Sequence, residues 1–316
     1  MPSALLRLLR PGDWVKNVFV LMPMVFWLPG QGREAPAGEV QAKAMALAVA
    51  FASFCLIASG FYCINDSLDA AEDRQHPVKR RRPVAAGQVS PQVAALLGLG
   101  LVGASVFLGA LASQLLVAVL VAYLLLQVAY NLRLKRVPFV DVAALATGFC
   151  LRAIGGAAAI GVQISVWLIL CVFFLTLYLG FIKRLCDMAS AENARRAGSV
   201  VEWRPRAGYE NRDELNWLLA VSGVLTVIMY LMYALSDHAR RLFGERALAF
   251  ALLSPLVVIV IHRFYRRANH GLSDSPLDVL LQDRTVLVAI LLFVSGTLAA
   301  LYAPGVDKLL ARMLLA

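Results

Sequence analysis

The run Gln92–Tyr130 contains no charged residue and is too long to be a single membrane-crossing helix. At about 1.5 Å per residue, one helix of this length would reach ~58 Å, roughly twice the thickness of the hydrocarbon core of a bilayer. We therefore expect the run to fold back near the polar "ASQ" at 112–114. A second run, Val137–Ile182, holds only two charged residues and is expected to fold back near "GVQIS" at 161–165.

The rest of the chain repeats this pattern of apolar runs separated by charged segments. Its 316 residues are 60% hydrophobic, 16% charged and have a mean hydropathy of +0.72, which excludes an ordinary soluble domain. The opening "MPSALLRLLRPGDW" lacks the small-residue cleavage site of a signal peptide. We predict one all-α polytopic membrane domain over 1–316, with nine transmembrane helices at about 15–29, 44–64, 92–111, 114–131, 140–160, 164–183, 214–235, 246–263 and 284–303.

Lysine and arginine are distributed unevenly between the two sides of this predicted bundle. With the N-terminus inside, 22 of the 30 basic residues fall in inside segments, seven fall outside and one lies within a span. Cytoplasmic segments of membrane proteins carry such an excess. We therefore expect a plasma-membrane protein whose N-terminus and active-site loops, about 65–91 and 184–213, are cytoplasmic and line a polar cavity.

The segment "NDSLDAAEDRQHPVKRRRP", at 65–83, places carboxylates beside a basic run directly after the second predicted span. If the helix continues, Asn65, Asp66, Asp69, Glu72 and Asp73 fall within an arc of roughly 120°. Carboxylates this close repel each other, and Mg²⁺ with a bound phosphate would relieve the repulsion. The alternative is a solvated loop whose bases merely fix the orientation.

A second charged face is predicted after the sixth span, where Lys183, Arg184 and Asp187 continue the helix on one side. Because bases outnumber the acid, this face is more typical of an anion clamp than of a second metal site. The loop could instead be only an orientation signal.

The fifth predicted span contains two charged residues, Asp141 and Arg152, and charged side chains are costly at membrane depth. Arg152 is expected either to pair with a neighbouring helix or to bind substrate.

The glycines of "GLGLVG", at 98–103, match a dinucleotide-binding fingerprint by spacing. They lie inside a predicted span with no preceding strand, which is the wrong context for that function. We interpret them as a small-residue surface for helix packing.

Taken together, these features resemble the UbiA-type prenyltransferase superfamily, which has nine helices and polar motifs after the second and sixth spans. Within it, the chain is most similar to the decaprenyl-phosphate phosphoribosyltransferase group. The similarity rests on "LLRLLRPGDWVKNVFVLMP", "NDSLDAAEDRQHPVKRRRPVAAGQV", "DVAALATGFCLRAIGGAAAIG" and the Lys-Arg-x-x-acid pattern at 183–187. Two positions depart from related patterns: Ala191 replaces the second Asp of aromatic prenyltransferases, and Asp187 stands where the phosphoribosyl group has Glu.

This resemblance implies transfer of 5-phosphoribose from phosphoribosyl diphosphate to a polyprenyl phosphate, with release of diphosphate and dependence on Mg²⁺. It implies metal ligands at Asn65, Asp66, Asp69 and Asp73, and catalytic roles for Asp66, Asp69, Asp73 and Asp187. The substrate-binding residues it implies are Lys16, Asn17, Asn65, Lys79, Arg80, Arg82, Tyr130, Lys135, Arg152, Lys183, Arg184 and Tyr209. The acceptor phosphate is expected near Lys135 or Arg152.

Two other functions remain open from the sequence. A prenyltransferase that moves an isoprenyl chain from its diphosphate to an aromatic or other lipid-soluble acceptor would use the same first motif. The missing second DxxxD argues against it. A transporter of anionic lipids would place its polar site near the midplane, often between inverted repeats. The charges of this chain are instead concentrated at one predicted membrane face.

Overall fold

The computed structural model describes residues 2–75, 79–196, 208–209, 211–269, 282–306 and 310. Over these residues the chain is helical and contains no β-strand. The α-helices are α1 Pro2–Leu9, α2 Met22–Trp27, α3 Ala37–Leu68, α4 Ala70–Gln75, α5 Pro91–Ala112, α6 Gln114–Leu132, α7 Val140–Ile160, α8 Val166–Arg196, α9 Arg212–Ala234, α10 Asp237–Phe243, α11 Ala247–Leu252, α12 Ser254–Asn269 and α13 Arg284–Tyr302.

Seven of the described helices are long and apolar enough to cross a membrane: α3, α5, α6, α7, α8, α9 and α13. The pair α10–α11 and α12 passes the same test together but bends by 46°. Pro255 explains the break, because it has no N–H to donate to the carbonyl of Ala251. The predicted turns near 112–114 and 161–165 are confirmed, since helices end and begin at both places.

The first expected span, 15–29, is not one α-helix in the structure. A 3₁₀ helix covers Pro11–Leu21, and the six-residue α2 follows it. Pro23 lies in the first turn of α2, where its missing N–H is tolerated, but it prevents an α-helix from running through from the preceding segment. Nine crossings therefore remain a prediction, with seven or eight counted among the described helices.

The structure divides the chain into two compact units, the first made of residues 1–28, 34–128 and 151–163. Its core contains Phe54, Ile57, Leu116 and Leu120, all fully buried. Helices α3 and α5 approach closely because Gly60 and Gly98 face each other: a Cβ on either would lie 2.7 Å from the other's carbonyl oxygen. Part of the predicted glycine packing surface is thus confirmed, since small residues let membrane helices come together.

The second unit is made of residues 29–33, 129–150 and 164–316. Its core is formed by residues of α7, α8, α9, α12 and α13. Asp283 caps the N-terminus of α13 through the backbone N–H groups of Thr285 and Val286, and it accepts hydrogen bonds from Arg263 of α12. These contacts fix the N-terminus of α13 to α12.

The close contact of α3 and α5 predicts that Gly60→Ala destabilises the protein. The new Cβ would meet the backbone oxygen of Gly98, which cannot move aside as a flexible side chain would, so we expect a cost of about 1–3 kcal/mol. The matched control is Gly100→Ala, whose Cβ meets nothing within 4 Å. Thermal unfolding in detergent should show a lowered Tm for the first variant only. Equal Tm values would contradict this packing.

Candidate active site

Two buried carboxylates lie where the longest helix of the first unit ends. Helix α3 runs to Leu68, a full turn beyond the apolar run, and therefore carries Asn65 and Asp66 in its last turn. Asp69 interrupts the helix, but its N–H still bonds to the Asn65 carbonyl, and the N–H of Asp73 bonds to the Asp69 carbonyl. The backbone consequently keeps a near-helical path, and Asp66 and Asp73, seven residues apart, are each only 2% exposed.

Basic side chains from the following segment neutralise these carboxylates. Nη1 of Arg82 donates to Asp73 Oδ2 at 2.7 Å and to Asp66 Oδ1 at 3.2 Å. Lys79 Nζ lies 3.9 Å from Asp73 Oδ1. Burying a carboxylate is costly unless it is paired, so one guanidinium shared between two acids stabilises both.

A third cation reaches this place from the N-terminal segment and was not predicted as a site residue. Nη2 of Arg10 donates to Asp66 Oδ1 at 2.6 Å, and the guanidinium lies over the Tyr62 ring, 4.5 Å from its centroid. We call Arg10, Asp66, Asp73, Lys79 and Arg82 the acidic cluster, after the two buried aspartates at its centre. The sequence contains one signal for the position of Arg10: this base stands directly before Pro11, and proline is common at the first position of a helix.

One oxygen of the acidic cluster bears on metal binding. Oδ2 of Asp66 is buried and has no hydrogen-bond partner among the described residues. A buried carboxylate oxygen without a donor is costly, and it is the kind of ligand that a divalent cation takes. The residues present therefore fit a divalent cation at Asp66, beside Asp73, with which Asp66 shares the Arg82 guanidinium.

The predicted metal set of four residues is only partly brought together. Asp69 and Asn65 are half-buried, whereas Glu72 and Arg80 are exposed. The described part of the chain contains no group of three or more His, Cys, Asp or Glu side chains placed to hold a metal. Of the predicted arc, Asp66 and Asp73 are buried, whereas Glu72 is exposed.

Arg152 lies away from the surface in the first unit and is held by hydrogen bonds. Its Nε donates to Asn17 Oδ1 and its Nη2 to the Tyr123 hydroxyl, each at 2.8 Å. Asn17 is 1% exposed and Arg152 7%. Of the two interpretations of Arg152 left open by the sequence, the geometry favours pairing with neighbouring helices. Lys16 differs from Asn17 and Arg152, since its side chain is exposed and pairs with Asp13.

A second charged group lies in the second unit, at the C-terminal part of α8. Lys183 Nζ lies 2.9 Å from Asp187 Oδ1, and Arg184 Nη1 lies 3.6 Å from Asp187 Oδ2, so the predicted common face is confirmed. Asp141 of α7 joins them, because Arg184 Nε donates to its Oδ2 at 2.9 Å. We call Asp141, Lys183, Arg184 and Asp187 the basic cluster. Asp141 thus adds a second carboxylate to the two bases and one acid of the predicted face.

Tyr209 fixes this arrangement from a segment far along the chain. Its hydroxyl donates to Asp141 Oδ1 at 2.6 Å and accepts from the Phe139 N–H at 2.7 Å. Phe139 has φ +65°, a left-handed conformation that is unfavourable for a bulky residue and needs such support. Burial, and next the hydrogen bond to Asp141, raise the pKa of Tyr209 well above its ordinary value, so the hydroxyl keeps its proton.

The remaining predicted residues lie near the start of the second unit. Tyr130 is close enough to Arg184 to interact with it electrostatically, and Lys135 is half-buried in the 3₁₀ turn Leu134–Arg136. The predicted active-site loops are shorter than expected, because α3 and α4 extend to Gln75 and α8 extends to Arg196. Residues 76–78, 197–207 and 210 of those loops lie outside the described residues.

A groove of about 390 Å³ lies beside α8, α9 and α12 in the second unit. Its lining is almost wholly apolar, with Gly223 and Ala220 providing the space and His262 adding a polar edge. Such a surface suits a hydrocarbon chain. It differs in character from the polar cavity expected from the sequence, which stays a prediction.

The chain is similar to known proteins over most of its length. The sequence profile of the UbiA prenyltransferase family matches residues 21–274. Decaprenyl-phosphate phosphoribosyltransferase of Mycolicibacterium smegmatis is 32% identical over 95% of this chain and 93% of its own length. The protein of the same name from Corynebacterium glutamicum is 29% identical over 96% and 88%. A UbiA homolog from Archaeoglobus fulgidus, solved with GPP and Mg²⁺, shares the fold with a TM-score of 0.64, 19% identity, and coverage of 94% and 99%.

The basic cluster predicts strong coupling between Asp141 and Arg184. A double-mutant cycle with Asp141→Asn and Arg184→Gln, followed by thermal unfolding, should give a coupling free energy in the upper part of the about 0.5–3 kcal/mol range of contacting residues. The control cycle, Lys183→Gln with Asp187→Asn, should give less than about 1 kcal/mol, because Lys183 is exposed and solvent screens the pair. Equal coupling in the two cycles would contradict the buried pairing of Asp141.

Proposed function

The chain belongs to the UbiA prenyltransferase family, and on that premise we propose that it transfers 5-phosphoribose from phosphoribosyl diphosphate to a polyprenyl phosphate, releasing diphosphate. The observation that carries the proposal is similarity over nearly the full chain to relatives named decaprenyl-phosphate phosphoribosyltransferase. The acidic cluster supports it, because buried carboxylates beside several cations are the groups that a metal-bound diphosphate requires.

Asp66 and Asp73 would hold Mg²⁺, with Asn65 and Asp69 close in sequence as further oxygen ligands. Mg²⁺ binds through one or two carboxylates together with substrate phosphates, which matches two buried acids better than a complete protein cage. When bound, the ion neutralises charge that develops on the diphosphate leaving group. Lys79, Arg80 and Arg82 would contact the diphosphate oxygens in the same part of the chain.

The basic cluster is assigned by its chemistry to another anionic group of the substrates. Lys183 and Arg184 supply the charge, and Asp187 either contacts the ribose or orients these two bases. Asp141 and Tyr209 are buried and hydrogen-bonded to each other, so we assign them to positioning Arg184 rather than to contact with substrate. A guanidinium whose Nε is held by a carboxylate presents its other donors in a fixed direction.

In the proposed reaction, the bond between ribose C1 and the diphosphate oxygen breaks. A bond forms between C1 and an oxygen of the polyprenyl phosphate. That oxygen is already anionic at neutral pH, so the acceptor needs no general base. The protein would act by positioning its substrates and by stabilising the charge of the departing diphosphate. Lys135 and Tyr130 are our candidates for the acceptor phosphate, because Asn17 and Arg152 engage each other in the helix packing.

The protein is a multi-pass membrane protein, and we propose the finer topology as follows. The short helices of residues 11–27 form one further crossing and the bent pair another, which gives nine. The N-terminus and the segments 65–91 and 184–213 face the cytoplasm, where a soluble sugar diphosphate is available. The excess of basic residues in these segments supports this orientation in a plasma membrane.

The proposal is tested by following radiolabelled phosphoribosyl diphosphate into lipid. Purified protein with Mg²⁺ and polyprenyl phosphate should transfer label to the lipid phase, and a chelator should abolish the transfer. Asp66→Asn and Asp73→Asn should each lower kcat by about 10²–10³, the loss typical of a missing electrostatic group at a reaction centre.

The matched control is Glu72→Gln, which removes an exposed carboxylate from α4, the short helix that also carries Asp73. This variant should keep full activity. Each variant is first checked for an unchanged Tm, so that a folding defect is recognised. Label that moves only when an isoprenyl diphosphate and an aromatic acceptor are supplied would overturn the phosphoribosyl proposal in favour of prenyl transfer. Transport of lipid without any covalent transfer would overturn both.

A further inference from the structure

The N-terminal segment brings Arg10 to the acidic cluster by a specific set of contacts. The hydroxyl of Ser59, on α3, donates to the Leu9 carbonyl at 2.8 Å and accepts from Trp14 Nε1 at 3.0 Å. Leu8 is fully buried in the first unit. The chain is therefore attached to α3 on both sides of Arg10, and the position of this residue does not depend on its own side chain.

Arg10 adopts a backbone conformation that its residue type disfavours. Its φ of 51° and ψ of 60° lie in the left-handed region, where an L residue other than glycine is uncommon. A strained residue of this kind persists only where the surrounding contacts determine it. From this conformation the Arg10 side chain donates its hydrogen bond to Asp66.

The side-chain contacts of Arg10 involve only part of its binding capacity. A guanidinium carries five N–H donors. Among the described residues, the one acceptor to which the Arg10 side chain donates a hydrogen bond is Asp66 Oδ1, which also accepts from Arg82. The Tyr62 ring supports the guanidinium from one face. The side chain is 26% exposed, so its remaining donors can reach a ligand.

We propose that Arg10 is a further binding residue for the diphosphate group, and that its guanidinium competes with the divalent cation for Asp66. This inference rests on the proposed function only for the presence of a metal-bound diphosphate. A cation that binds Asp66 takes oxygens near which the Arg10 charge now lies, and like charges repel. The diphosphate supplies new acceptors, and Arg10 pairs with these by forked hydrogen bonds while it stays stacked on Tyr62.

The proposal predicts opposite effects on two ligands, which a merely structural role does not. Arg10→Ala should bind a divalent cation alone more tightly, because the competitor is gone. The same variant should bind metal-bound diphosphate less tightly, by about tenfold, the loss expected for one hydrogen bond to a charged group. Arg10→Lys keeps the charge without the forked donors, so it should resemble the native protein towards the metal and lie in between towards diphosphate.

Both affinities are measured on the full-length protein in nanodiscs without any turnover. The probes are Mn²⁺ alone, followed by electron paramagnetic resonance of bound and unbound ion, and inorganic diphosphate with Mg²⁺, followed by calorimetry. The control is Arg7→Ala, which removes the same charge one turn earlier, where the side chain donates to Gln88. It should change neither affinity by more than about twofold, since an exposed charge at a distance is screened.

Opposite shifts for Arg10→Ala with a silent control support the proposal. If both affinities fall together, or neither changes, Arg10 is only structural. If Arg7→Ala gives the same shifts, the effect is one of net charge, which also overturns the proposal. If Arg10→Ala does not fold, Arg10→Lys decides, because weaker diphosphate binding with unchanged Mn²⁺ binding requires a direct contact. Failure of phosphoribosyl transfer would leave these affinities unaffected, since inorganic diphosphate is a product of prenyl transfer as well.

Discussion

The burial of Asp66 and Asp73 at the end of a membrane helix is the constraint on which the first unit depends. Removing a carboxylate from water costs several kcal/mol, and only nearby cations offset this. One cation, Arg10, lies between α1 and the 3₁₀ helix Pro11–Leu21, and the other two, Lys79 and Arg82, come from the segment after α4. The ion pairs therefore join two distant parts of the chain near the end of α3.

The second unit solves the same problem with a different balance of charge. Asp141 is fully buried, and Arg184 and the Tyr209 hydroxyl satisfy its two oxygens. Because both oxygens are occupied by donors, Asp141 is a poor ligand for a cation, whereas Asp66 keeps an oxygen without a donor among the described residues. This difference supports the different tasks that we propose for the two clusters, a cation with its phosphate for the first and the orientation of arginine for the second.

The apolar runs predicted much of the fold because their lengths are set by the bilayer. Helix α7 begins and ends at the predicted residues 140 and 160, and α5, α6 and α13 differ from their predicted spans by one residue at most. Hydropathy does not detect where a helix continues into charged sequence, so α3 and α8 were predicted too short.

Local periodicity predicted that Asp66 and Asp73 lie together, and it could do so because they are close in the chain. Arg10, however, is 56 residues from its partner Asp66, and Arg184 is 43 residues from Asp141. Such pairings depend on tertiary packing, which no local pattern contains.

The charge balance of the two clusters also separates the proposed donor from its rival. An isoprenyl diphosphate carries its anionic groups at one end, and aromatic prenyltransferases of the superfamily use two acidic motifs for it. This chain has Ala191 at the second acidic position, and the acids of its basic cluster are engaged by Lys183 and Arg184. Both oxygens of Asp141 already accept from donors, so a metal bound there would have to break these bonds, whereas Asp66 keeps an oxygen without a donor among the described residues. A single acidic motif fits a donor that needs one metal site, as we propose for phosphoribosyl diphosphate.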